Sequence, residues 1–159
     1  MARSASLVIV GARIWKGRGE GFAEHDLVIA DGRVADRADP EAEVVDGSGT
    51  WIVPGLIDAH FHAYALSMNH IENERGPLSY AALVGARRLG AALRRGFTTV
   101  RDVCGGDIGL QRAVDSNVFP SPRYLFTGPG LSQTGGHGDP RSAHIDACFG
   151  HGHMCEIVD

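Results

Sequence analysis

The strongest constraint in this chain is an alternation that begins near residue 51 and runs to residue 127. Apolar or β-branched runs, Trp51 to Ile57, Phe97 to Val103 and Arg123 to Thr127, are separated by segments with helical character. The first of these, Pro77 to Arg95, is rich in Ala and Leu and places Tyr80, Leu83, Val84, Leu89 and Leu93 at helix-compatible spacing. Gly96 follows, where a helix end calls for positive φ. The second, Ile108 to Ser116, reads as a short helix. Strand, helix, strand, helix, strand predicts βαβ units and a parallel sheet, hence an α/β fold.

The first fifty residues have a different grain. Leu7–Val10, Ala12–Trp15, Leu27–Ala30, Arg33–Ala35 and Glu43–Val45 are short strand-like runs between turns. Asp31-Gly32 is a hairpin signal, because both residues tolerate positive φ. This part reads as a small antiparallel β unit over 1–53, with the α/β part over 54–159. From Gly128 onward the sequence is Gly-rich, reads as irregular, and carries four of the eight histidines.

Composition narrows the function classes. Hydrophobic residues make up 43% and charged residues 21%, which describes a chain able to bury a core. The net charge is −4, and the densest basic run, Arg87, Arg88, Arg94 and Arg95, reads as a solvated helix face. No clustered basic surface for nucleic acid is expected. No run of about 18 apolar residues occurs, so no membrane span is expected, and the N-terminus runs straight into a strand-like pattern rather than a signal peptide. Three cysteines are too few for a disulfide framework and suggest a reducing, cytoplasmic location.

The chemistry concentrates at His60 and His62. On a strand, residues i and i+2 face the same side, so both imidazoles are positioned for one cation at the C-terminal end of the first parallel strand. That end is where α/β sheets and barrels place ligand chemistry. Asp58 shares their parity, one layer deeper, and is a candidate acceptor that orients a ligand histidine. His137 lies in a Gly-rich loop after the third strand and is a candidate substrate-side histidine, with a locally bonded loop histidine as the alternative. Arg101 and Asp102 read as a structural pair, and Cys104 as a buried small residue rather than a nucleophile. In the tail, Cys148, His151, His153 and Cys155 form a Cys2His2 set, but their spacing is tighter than zinc fingers use, so a variable loop is the favoured reading.

Three stretches carry a family resemblance. Val44-Val-Asp-Gly-Ser-Gly-Thr-Trp-Ile-Val-Pro-Gly-Leu-Ile-Asp-Ala-His-Phe-His62 resembles the start of the metal-dependent amidohydrolase superfamily. Gly96-Phe-Thr-Thr-Val-Arg-Asp-Val103 is similar to that family's second barrel strand. Gly128-Pro-Gly-Leu-Ser-Gln-Thr-Gly-Gly-His-Gly-Asp139 resembles the third strand and loop of its prolidase-like and imidazolonepropionase-like branch.

The resemblance implies a (β/α)8 TIM-type barrel with a small β-sandwich, and a divalent metal site, commonly zinc with one or two ions. His60 and His62 match the first pair of ligands. It implies hydrolysis of an amide or peptide bond in a small molecule such as a dipeptide or N-acyl amino acid. Family members also use a lysine or glutamate from a middle strand, later histidines and an aspartate. The single lysine here, Lys16, lies in the β unit, and 159 residues are too few for a barrel of roughly 250. The chain is therefore expected to hold about three barrel strands and half of the sandwich, to be the N-terminal part of an enzyme, and to lack amidase activity alone. Homo-oligomerisation or a complementing chain would supply the missing surface. A non-catalytic metal-binding or assembly role is the alternative.

Overall fold

The computed structural model describes residues 6–139, 141 and 154–158. The tail residues Cys148, His151 and His153 lie outside the described residues. The chain divides into two compact units, Met1–Pro54 and Gly55–Asp159.

Among its described residues the first unit contains seven strands: β1 (Leu7–Val10), β2 (Arg13–Gly17), β3 (Gly21–Glu24), β4 (Leu27–Ala30), β5 (Arg33–Ala35), β6 (Glu43–Asp46) and β7 (Trp51–Ile52). They form two sheets, ordered β5-β4-β1-β6 and β3-β2-β7. The β4–β5 hairpin forms where Asp31-Gly32 predicts it, with φ of 51° and 70° at those residues. The unit is not purely antiparallel, as the sequence reading expects. β1 runs parallel to β6, and β2 parallel to β7. Residues 36–42 and 47–50 carry the chain between strands, so neighbours in these sheets are not always successive hairpin arms. Trp51 belongs to this unit: its ring meets Phe22 edge-on at 4.5 Å and lies under the Arg13 guanidinium at 5.1 Å.

The apolar run from Trp51 to Ile57 is thus two strands rather than one. Pro54-Gly55 interrupts it, because proline removes a ladder donor. In the second unit β8 (Leu56–Phe61) begins the parallel sheet, followed by α1 (His70–Arg75), α2 (Leu78–Arg94), β9 (Phe97–Asp102), α3 (Ile108–Asp115), β10 (Arg123–Phe126), β11 (Gly130–Ser132) and β12 (Cys155–Ile157). The strands order as β10-β9-β8, all parallel, with β9 central. Helix α2 packs on β9 and α3 on β10. The fold class is α/β, as the alternation predicts.

The buried face of α2 is not the one its large side chains suggest. Ala81, Gly85, Leu89, Gly90 and Ala92 are buried, whereas Leu83 is 72% exposed. Small residues let the helix lie close on the strands, where it joins Val100, Tyr124, Tyr64 and Leu110 in one core. Gly96 takes φ of 92° at the end of the helix, as expected. The other face of the sheet is open: Ile57 is 70% exposed and Leu125 44%. The Gly-rich region read as irregular contains β11, which pairs in parallel with β12 across a long stretch of sequence. No helix among the described residues is long and apolar enough to cross a membrane.

Candidate metal centre

β8 ends at Phe61, and its register against β9 shifts between Asp58 and Phe61. The shift lies beside the two histidines, which therefore sit where the strand leaves the ladder. Their rings are 5.1 Å apart between centroids and close to perpendicular, at 83°. His60 is exposed and His62 half-buried. The His62 Nδ1 atom is buried without a hydrogen-bond partner among the described residues. Native interiors rarely leave such an atom unpaired, so an external partner is implied.

Two imidazoles supply half of a tetrahedral donor set. Among the described residues, no group of three or more His, Cys, Asp or Glu side chains comes together to complete one. The donors present fit a borderline or soft divalent cation and leave the rest of its coordination to other groups.

His60, His62 and His137 line one cavity of about 420 Å³, together with Ser67, Cys104 and Cys155. The loop that carries His137 is a built turn. The Asp139 carboxylate accepts from the Gly135 N–H at 2.8 Å and pairs with the Arg141 guanidinium at 2.6 Å. That guanidinium, followed by the Gly135 N–H, holds the Asp139 carboxyl well below the usual range.

Asp58 acts differently from its sequence reading. Its Oδ1 accepts the backbone N–H of His60 at 3.0 Å, so it fixes the strand under the ring rather than the ring itself. Arg101 and Asp102 do not form an ion pair. The Arg101 Nε donates to the Ala59 carbonyl at 3.0 Å, while Asp102 points into the core and is 0% exposed. Its carboxylate accepts the Ala63 N–H at 3.0 Å, the Tyr124 hydroxyl at 2.8 Å and the Cys104 N–H at 3.2 Å. One carboxylate at the end of β9 thereby ties the segments just past β8 and β9 to Tyr124 within β10. Burial raises its pKa, against the lowering effect of those three donors.

Two further residues escape a sequence reading. Arg88, read as part of a solvated helix face, is half-buried and donates to the carbonyls of His62 at 3.3 Å and Ala63 at 3.0 Å. Asn73 accepts the N–H groups of Leu66 and Ser67 at 2.8 and 2.9 Å, and donates to the Ser67 carbonyl at 2.8 Å. The segment after His62 is therefore held by side chains from both helices that follow it. Neither residue has a sequence signal of its own. Helix α1, which carries Asn73, does have one in Asn69, an N-cap residue whose side chain accepts the Ile71 N–H.

Comparison with known proteins places this geometry in a family. The chain is 29% identical to ochratoxinase of Aspergillus niger over 143 residues, which is 83% of this chain and 30% of that protein. It is 33% identical to D-hydantoinase of Rhizobium radiobacter over 100 residues, 60% of this chain and 20% of that protein. A prolidase solved with N-methylphosphonate-L-proline superposes with a TM-score of 0.84 at 35% identity, covering 98% of this chain and 41% of that one. The chain thus spans less than half the length of these relatives. The Amidohydrolase family model matches residues 51–149, which include His60, His62 and His137, and the chain belongs to the amidohydrolase family.

Proposed function

We propose that this chain carries the first two ligands of a divalent metal centre, His60 and His62, in a hydrolase acting on C–N bonds. The observation that carries the reading is the pair itself: two neighbouring imidazoles, one with a buried unpartnered nitrogen, at the C-terminal end of a parallel strand. Zinc suits two imidazole donors, with one or two ions in the complete enzyme. When bound, such a cation supplies the Lewis acid that makes water a competent nucleophile near neutral pH. In this reading β8, β9 and β10 are the opening strands of a (β/α)8 barrel, and the first unit is part of a small β-sandwich.

The remaining roles fall to this chain's own residues. Asp58 and Arg88 hold the backbone on which the two ligands stand, from below and from behind. Asp102 keeps the three neighbouring strands in register through its bonds to Ala63 and Tyr124. His137 reaches the same cavity and is assigned to the substrate, as a donor to its carbonyl or carboxylate. A small-molecule amide suits the cavity, and among amides a dipeptide or N-acyl amino acid is the class proposed. That preference is supported by the likeness to a prolidase solved with a proline phosphonate. The site we place in the cytoplasm. The relatives are more than twice the length of this chain, and the 159-residue chain by itself is proposed to be inactive.

The test uses the full reading frame, loaded with zinc and assayed on Xaa-Pro dipeptides and N-acyl amino acids. Native mass spectrometry should show one or two zinc ions. The pair His60→Ala and His62→Ala should lose the metal and roughly a hundredfold or more of kcat/KM, since even outer partners of metal ligands are worth 10–100-fold. Retained turnover in the double variant overturns the proposal, and turnover by the isolated 159-residue chain overturns its inactivity.

A further inference from the structure

We propose that Cys104 and Cys155 form a dithiol modification site that low-molecular-weight disulfides oxidise to an intrachain disulfide, tying β12 to the end of β9. The two residues are 51 positions apart, yet their sulfurs lie 3.5 Å from each other. The pair is made by the pairing of β11 with β12, which sets Gly130 opposite Cys155. Gly130 is what gives the sulfurs room. A Cβ on it would stand 3.1 Å from the Cys104 sulfur and 3.7 Å from the Cys155 sulfur, so a larger residue would crowd the pair.

The surroundings fix the pair without sealing it. The Cys104 thiol donates to the Met154 carbonyl at 2.8 Å. The N–H groups of Met154 and Cys155 both donate to Glu74 Oε1, at 3.1 and 2.8 Å, which clamps the backbone on the other side of the sulfur. Both cysteines are half-buried and line the cavity shared with His60 and His62, through which a small disulfide has access. A disulfide brings two sulfurs to about 2.05 Å, so closure asks for a shift of about 1.5 Å, within reach of side-chain rotation.

The order of attack follows from the environment. Burial, then the neighbouring Cys104, pushes the Cys155 thiol up to about 12, so Cys155 stays protonated at neutral pH. Cys104 gives its proton to solvent and attacks R–S–S–R, forming Cys104–S–S–R and releasing RS⁻. Cys155 then gives its proton to solvent and attacks the Cys104 sulfur, displacing the second RS⁻. Two protein thiols are oxidised, one small disulfide is reduced to two thiols, and the two protein protons balance the two thiolates released. Proximity compensates for the poor nucleophile in the second step. This inference stands on the two sulfurs and does not require the metal reading.

The experiment equilibrates the full, unsubstituted chain with glutathione and oxidised glutathione at graded ratios, alkylates it, and maps it by mass spectrometry. The expected result is loss of two of the three thiols, with Cys104–Cys155 as the dominant crosslinked peptide, reversed by reduced glutathione. Cys148→Ser should leave that crosslink unchanged. Cys155→Ser should convert it to a stable glutathione adduct on Cys104. The inference is overturned if all three thiols remain alkylatable at the most oxidising ratio, if Cys148 takes an equal or larger share of the crosslinks, or if the unsubstituted chain stops at a glutathione adduct on Cys104. Because the primary reading uses no substitution, misfolding of a variant does not decide it.

Discussion

Tyr124→Phe is the perturbation whose effect follows most directly from the geometry. The hydroxyl donates to Asp102 Oδ2 at 2.8 Å, and both side chains are buried, Asp102 completely. Removing it leaves a buried carboxylate with two donors, both backbone N–H groups, instead of three. A bond to a charged group contributes about 1.5–3 kcal/mol, which converts to a drop in Tm of roughly 3–12 °C for a chain of this size. The cost should depend on pH, and its sign can be worked out. Burial raises the folded-state pKa of Asp102 above its ordinary value of 3.8. Folding therefore favours the protonated form, and that contribution is present below the unfolded value and lost as pH rises through the folded one. The Tyr124 hydroxyl stabilises the ionised form. Its loss is felt in full above the folded-state pKa and shrinks as pH falls through it. Urea denaturation of wild type, Tyr124→Phe, Asp102→Asn and the double variant across this range gives the coupling directly. A cost for Tyr124→Phe that is the same at every pH, or the same in the Asp102→Asn background, refutes the reasoning.

Three further outcomes are expected. His62→Leu should reverse sign with metal: neutral or stabilising in metal-depleted protein, because it removes the unpartnered Nδ1, and destabilising once zinc is added, as thermal melts with and without chelator would show. Arg88→Ala should weaken zinc binding by roughly 10–100-fold in a competition titration, since it frees the carbonyls of His62 and Ala63 without touching a ligand. Asn73→Ala strands the N–H groups of Leu66 and Ser67, and chemical denaturation should register about 2–4 kcal/mol of lost stability.

What could be read from the sequence divides along a physical line. The parallel strands were legible because Phe97 to Val103 and Arg123 to Thr127 are β-branched or aromatic runs whose preference agrees with their place in the sheet. The nearness of His60 and His62 is legible in their i, i+2 spacing, although His62 itself lies just past the end of β8. The strands β11 and β12 were not, since their pairing joins Gly130 to Cys155 and neither segment has a periodicity of its own. Separation along the chain likewise hides the meeting of Cys104 with Cys155 and of Asp102 with Tyr124. Arg88 is not legible as a backbone clamp because a charge on a helix is usually solvated, and only the close approach of α2, made by its small residues, turns that side chain inward. The mixed pairing of the first unit was missed because Asp31-Gly32 marks a hairpin, while nothing local marks a strand that returns in parallel.

The central position of β9 has a consequence for how the second unit breathes. Flanked by β8 and β10, it is paired along both edges, continuously from Thr99 to Asp102 on the β10 side and with two register shifts on the β8 side, whereas β8 and β10 are paired along one side only among the described residues. Amide exchange should therefore be slowest along Phe97–Asp102, with an every-other-residue pattern in the two outer strands. That pattern is a direct reporter on what else the strands touch. Uniform protection across all three would mean that further backbone pairs with both outer strands.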